Sequence, residues 1–410
     1  MKRTTLIILM VMVVMGVLST VLAAPMSSKV AVYSTVGETL CHYDMDAASG
    51  ELTLRDSVVL PVKVHYVAAD PSGNFMYVGS SNFGVGTEGR HYLSTFKIDS
   101  VTGALQQIGT NVALQERPIN ITVDKSAEHV VIAYNRSATL DSYEIMTNGE
   151  IAQTAVVQPV RPDSGIYVHQ VRVLPSGNAV IAVGRGNDAT TTKPEDLGHL
   201  TIFNFENGVL SQKQRIEMAP GIGPRHLDFH PTQPWVYVSV ERGNKLMVYT
   251  LKDDSFSAEP IFNKELLANV NQSNQRAGAI HIHPNGKFVY ISNRNDALAK
   301  NKSGLNVLTG GENDLVVFAI NQTTGEPTLI QRLDTQGVEA RTFTIDPSGR
   351  FLITCNQEQR LGTDGKLVSA GMVVFRIGVD GKLEFVHKYD IDSQGKDLLW
   401  IGSVALTGGK

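Results

Sequence analysis

Residues 223–241 read GPRHLDFHPTQPWVYVSVE. The stretch opens with Arg225 and His226, turns at Pro231–Pro234, and runs on through aromatic and β-branched residues to Glu241. Turn residues followed at once by Trp, Val and Tyr are hairpin chemistry. The same pattern recurs with its turn beginning at Asp70, Asp124, Leu174, His230, His283 and Asp346, as in DPSGNFMYVGSS from Asp70 and HPNGKFVYISNR from His283. Successive copies start 50 to 63 residues apart. A fixed period of roughly 55 residues marks a repeat architecture, not a string of unrelated domains.

A second element follows each turn-and-strand: a short strand, a polar turn often holding Thr-Gly or Asp-Gly, and a last strand, as in LVVFAINQTTGEPTLI from Leu315 and MVVFRIGVDGKLEFV from Met372. It occurs seven times. Seven units worth four strands each predict an all-β, seven-bladed β-propeller. The strand KVAVYST near the N-terminus lacks a preceding turn-strand, and LLWIGSVAL near the C-terminus is a spare strand. The two are expected to share one blade and close the ring without a free edge. The longest insertion, 295–313, is expected to be a loop over one face.

Ahead of the propeller, Lys2 and Arg3 precede an apolar run from Leu6 to Leu22, and small residues follow. This is the layout of a secretory signal peptide, with cleavage expected after Ala23 or Ala24. The expected organisation is therefore residues 1–24 as signal peptide and 25–410 as a single propeller domain. The protein is expected to be secreted or periplasmic, and monomeric, with no membrane contact beyond the signal peptide. A net charge of −4 without a Lys/Arg cluster argues against a nucleic-acid partner. Cys41 and Cys355 form no CxxC and read as two buried free thiols, and no Cys/His spacing makes a metal site. His226, His230, His281 and His283 read as turn and strand residues. Sequons begin at Asn120, Asn135, Asn271, Asn301 and Asn321.

The repeat also says where chemistry collects. Five residues before each turn stand His65, Ile119, His169, Arg225, Gly278 and Arg341; eleven after it stand Ser81, Asn135, Arg185, Glu241, Arg294 and Gln357. In an antiparallel hairpin centred on the turn these positions are expected to face each other. As the two innermost strands of each blade, they would bring these side chains to one mouth of the channel. Arg185, Arg225, Arg294 and Arg341 suit a carboxylate or phosphate, His169 suits proton transfer near neutral pH, and Glu241 suits pairing or base chemistry. His65, Ser81, Asn135 and Gln357 fit equally well as polar groups that pair among themselves.

GPRHLDFHP…VYVSVE, IHIHPNGKFVYISNR and ARTFTIDPSGRFLITCNQ resemble the lactonase family of seven-bladed propellers, which includes the cofactor-free bacterial 6-phosphogluconolactonase and the fungal carboxymuconate-lactonising enzyme. The resemblance covers essentially the whole chain after the signal peptide. It implies that His169, Arg225, Glu241 and Arg294 are the catalytic set, without metal or other cofactor. Arg185, Arg341, Asn135 and His65 are the expected substrate-binding residues. AVGRGND after His169 and AYNRS in the third blade depart from the family pattern, which leaves the ligand contacts of Arg185 and Asn135 specific to this chain. The expected activity is that of an exported lactonase taking an anionic small molecule. A non-phosphorylated sugar-acid lactone, or another carboxylated lactone, fits export better than a cytosolic phosphorylated one. The alternatives are a cycloisomerase acting on an unsaturated dicarboxylate and a non-catalytic binding propeller at the cell surface. No GxSxG elbow is present for a serine nucleophile.

Overall fold

The structure, a computed structural model, describes residues 29–82, 89–269, 274–295, 297–362 and 364–407. The segment read as a signal peptide and the sequon at Asn271 lie outside the described residues.

Seven antiparallel sheets follow one another along the chain. Blade 2 shows the pattern, with Val64–Ala69 innermost, then Phe75–Ser81, His91–Ile98 and Leu105–Ala113 outward. The inner strands of blades 3 to 7 are Pro118–Val123, Val168–Val173, Pro224–Phe229, Gln275–Ile282 and Ala340–Ile345. Each packs against the next. Blade 1 takes its inner strand from the far end of the chain: Ile401–Ala405 pairs antiparallel with Lys29–Val36, from Val30 opposite Ala405 to Ser34 opposite Ile401. The ring therefore closes through the shared blade that the sequence predicted.

The core is divided among the blade interfaces. Seven apolar clusters fill the seven junctions, each drawing on two adjoining blades. Alternate residues of a second strand serve two junctions: Val236, Val238 and Val240 face blade 4, while Tyr237 faces blade 6. This is why WVYVSV is buried at every position and reads as a continuous apolar run.

The recurrent Gly of the outer turn has a specific task. Tyr33, Tyr77, Tyr237 and Tyr290 donate their hydroxyls across the junction to the carbonyls of Gly103, Gly149, Gly325 and Gly381. Gly325 has φ +79°, and a Cβ there would come within 2.6 Å of the Trp235 ring. The turn and the close approach both exclude a side chain. His230 and His283 make similar ties. His230 Nδ1 accepts the amides of Thr232 and Gln233, and its Nε2 meets the Gly286 carbonyl of the next blade at 2.8 Å. His283 does the same with Asn285 and Gly349. These two histidines are turn residues, as expected, with an added role between blades.

Three features differ from the expected regularity. Blade 3 has three strands among the described residues, because the chain that should form the fourth contains Pro159 and Pro162, which cannot donate to a ladder. The outer strand of blade 5 is split into Ser255–Phe256 and Phe262–Glu265 around Pro260. The 295–313 insertion carries a hairpin of its own, Leu298–Lys300 against Asn306–Leu308. Cys41 and Cys355 are free, Cys355 buried and Cys41 half-buried.

Candidate active site

The expected face-to-face pairing is shifted by one residue, and the shift makes the site. In blades 2 to 7 the inner ladder breaks at one place, for example between Pro224↔Val240 and His226↔Ser239. The extra residue is His65, Ile119, His169, Arg225 or Arg341 in five blades, and Gly278 falls in the corresponding gap of blade 6. A β-bulge leaves its extra residue unpaired and re-aims the side chain. The residues eleven after the turn pair instead with the backbone two positions earlier: the amides of Arg185 and Glu241 donate to the carbonyls of Tyr167 and Gly223.

A cavity of about 690 Å³ opens at this mouth, lined by His65, His169, Arg185, Arg225, Glu241, Arg294 and Arg341 among others. Its centre is the Glu241 carboxylate, which is 4% exposed. Oε2 accepts from Arg225 Nη1 at 2.6 Å and from Arg294 Nη2 at 3.1 Å, while Oε1 accepts from Arg185 Nε at 2.8 Å. Three blades thus deliver one arginine each to a glutamate that blade 5 supplies. Burial disfavours the charged carboxylate, but the guanidiniums of Arg225 and Arg294 outweigh it and hold Glu241 well below the usual carboxylate range. Burial, then Arg294, brings Arg225 down to about 9, which leaves it protonated at neutral pH.

His169 Nε2 lies 4.0 Å from Glu241 Oε2. Burial first and Arg225 second keep the imidazole well below its ordinary value, so it is neutral at pH 7. The Tyr167 ring meets His169 edge-on at 5.4 Å between centroids, and the Arg185 guanidinium lies 5.4 Å from the centre of the same ring. Arg341 is half-buried, and its guanidinium makes no hydrogen bond or ion pair among the described residues. It faces the cavity as an open cationic fork.

Two expected substrate contacts behave differently. His65 lines the cavity and approaches the Ser81 carbonyl at 3.3 Å; burial, then Arg117, lowers it to about 3. Asn135 is not at the cavity wall. Its Oδ1 accepts from Arg117 Nη2 at 2.9 Å and its Nδ2 donates to the Val168 carbonyl at 3.0 Å, so it braces the backbone beside His169.

Sequence reasoning passed over a third ring. Side chains of a strand alternate in direction, so residues two before the bulge share its face. Arg117, Tyr167 and Arg276 occupy this position at the cavity, Glu339 lies behind Arg294, and Asp397, ahead of the blade 1 inner strand, joins them in the lining. Stepping back two residues from His169 and Arg341 finds Tyr167 and Glu339, and the same step from the ring positions Ile119 and Gly278 finds Arg117 and Arg276; Asp397, in the closing segment, had no such reference point. The loop after Arg185 adds Asp188, Thr190 and Lys193. The lining counts seven basic side chains against three acidic ones, although the chain as a whole carries net charge −4. Positive charge is thus concentrated at this mouth. Away from the channel, Asp124, Glu128 and His129 come within 4.8 Å of one another. Asp124 there already accepts the amides of Glu128 and His129, the turn-closing role that Asp70 and Asp346 play in their blades.

Residues 28–363 match the family described as lactonase, 7-bladed beta-propeller. The chain belongs to the lactonase family. This lactonase is 27% identical over 359 residues to a 6-phosphogluconolactonase of Formosa agariphila, covering 83% of this chain and 89% of that one. It is 25% identical over 300 residues to the 6-phosphogluconolactonase of Bacillus subtilis, covering 72% and 77%. Its fold is that of the periplasmic gluconolactonase of Pseudomonas aeruginosa, with TM-score 0.72 at 20% identity over 92% of this chain and all of that one. A Lactobacillus plantarum structure superposes as well, with TM-score 0.71 at 20% identity over 92% and 99%. The lactonase is thus an enzyme of a propeller family, and its expected family membership holds.

Proposed function

We propose that this lactonase is exported and hydrolyses a non-phosphorylated sugar-acid lactone, or another carboxylated lactone, at the Glu241 mouth. The carrying observation is the division of labour among the arginines. Arg185, Arg225 and Arg294 are committed to Glu241, whereas Arg341 presents an unpaired guanidinium beside neutral His169. Arg341 binds the substrate's anionic or carbonyl oxygen through its planar fork. His169 takes a proton from water as the oxygen attacks the lactone carbonyl, and returns it to the departing ring oxygen. The arginine field stabilises the oxyanion formed between these steps. Glu241 is too strongly held as a carboxylate to serve as the base. It gathers the cations, and at 4.0 Å it favours the imidazolium that forms transiently on His169. One structural neighbour, a periplasmic gluconolactonase, supports a non-phosphorylated substrate.

The test is pH-stat hydrolysis of a panel of sugar-acid lactones, with and without chelator. Hydrolysis that resists chelator and falls about 100-fold or more in His169→Ala, within the usual range for a general base, is the expected result. Arg341→Ala is expected to raise KM most for lactones that carry a carboxylate. No hydrolysis of any lactone by a folded protein would overturn the reading and turn attention to unsaturated dicarboxylates.

A further inference from the structure

The position two before each bulge holds a conformational anomaly. In blades 4, 5 and 7 it is left-handed: Tyr167 at φ +58°, Gly223 at +54° and Glu339 at +56°. Blade 5 fills it with glycine, which adopts that conformation freely. Blades 4 and 7 place bulky side chains there, and both touch the site. Strain of this kind persists where the surroundings over-determine it, commonly at functional positions.

Glu339 is over-determined. Its amide donates to Asn313 Oδ1 at 3.0 Å, and its carbonyl accepts the amides of Arg341 at 2.6 Å and Gln357 at 2.9 Å. Its side chain is 7% exposed and accepts at Oε2 from Arg294 Nη1 at 2.8 Å, while Oε1 is buried without a hydrogen bond. Arg294 is thus strung between two carboxylates, Nη2 on Glu241 and Nη1 on Glu339. A planar guanidinium bound at both ends by opposed anions cannot rotate to take both oxygens of either one.

We infer that Glu339 is a positioning residue of the lactonase reaction: by holding the second end of Arg294 it keeps that guanidinium at the mouth and prevents its collapse onto Glu241. Without it, Arg294 turns to chelate Glu241, competes with Arg225 and Arg185, and weakens the arginine field that stabilises the oxyanion. Glu339 acts through Arg294 and does not line the cavity. The inference rests on the lactone-hydrolysis reading of this mouth.

The test uses the full chain with Glu339→Gln, which preserves shape, and Glu339→Asp, which preserves charge. In the lactone assay, Glu339→Gln is expected to lower kcat about 10- to 100-fold with KM within about threefold, the scale of losing one oxyanion-directed group. Its acid limb in kcat/KM moves to lower pH, because removing a negative charge makes protonation of His169 harder. Glu339→Asp recovers part of kcat. A second readout is independent of activity: nitrogen-15 guanidinium resonances of Arg294, assigned by their loss in Arg294→Lys, are expected to be resolved in the wild type and averaged in Glu339→Gln. If the wild type hydrolyses no lactone, the functional reading fails while these resonances still test the arginine's restraint. Wild-type kcat and acid limb in Glu339→Gln would overturn the inference. So would a fall in kcat that merely tracks melting temperature while the Arg294 resonances stay resolved.

Discussion

Glu241→Gln should cost this propeller far more than the loss of one surface ion pair. The amide keeps the size of the side chain but removes the charge that three guanidiniums share at 2.6, 2.8 and 3.1 Å. Breaking a buried pair by deleting one partner costs about 3–5 kcal/mol, since the remaining charges stay desolvated. At about 2.1 cal/mol/K per residue, unfolding entropy for a chain of this length is roughly 0.8 kcal/mol/K, so Tm should fall by about 4–6 °C. Lys396→Gln, which breaks the exposed pair with Glu38, should cost under about 1 kcal/mol and serves as the control. Scanning calorimetry at pH 7 gives the comparison. The carboxyl is held well below its ordinary range, so its contribution is complete at neutral pH and is lost only as pH falls through that depressed value. Adding Arg294→Gln to Glu241→Gln should cost less than the sum of the singles, because the two share one network. A Tm within about 1 °C of wild type for Glu241→Gln, or strict additivity in the double variant, would refute the hub.

Two further outcomes follow from the ties between blades. His230 is used as a neutral imidazole whose Nδ1 accepts and whose Nε2 donates, and burial lowers its pKa. Its stabilisation is therefore present above the unfolded value near 6.5 and is lost as pH falls through the lower folded value; the Tm gap between wild type and His230→Ala should be flat at pH 7–8 and narrow on acidification, and a gap that widens would contradict the assignment. Gly325→Ala should cost roughly 2–4 kcal/mol, combining the left-handed penalty with overpacking against Trp235. Gly365 has the same φ of +79° with nothing within 4 Å of its Cβ position, so Gly365→Ala should show only the left-handed part, about 1–2 kcal/mol, in parallel urea titrations.

Much of the fold was legible because its instructions are local. HPTQPWVYVSVE contains its own turn, its own strand and the period that places it in a ring. The spare strand LLWIGSVAL announced its partner, because one inner strand was missing at the other end. Blade 3 departed because Pro159 and Pro162 override the pattern of the neighbouring copies. The site was legible only in outline. His169, Arg185, Arg225, Glu241, Arg294 and Arg341 do converge, whereas Asn135 turned out to brace a strand, and Glu339 carried no signal until its neighbour two residues on was placed.

The amino-acid sequence by itself determined the repeat, the closure of the ring and the end of the hairpins where polar side chains gather, since turn chemistry and strand alternation act within about a dozen residues. The tertiary structure decided which of those side chains enter the cavity and what they do there. A single extra residue in an inner strand reverses the facing of everything beyond it, and no periodicity reveals that bulge. The ionic hub joins Glu241 to Arg185 and Arg294, residues 56 and 53 positions away on other blades. Only packing the blades side by side brings their charges within 3.1 Å, where their shared burial sets the protonation of Glu241 and His169.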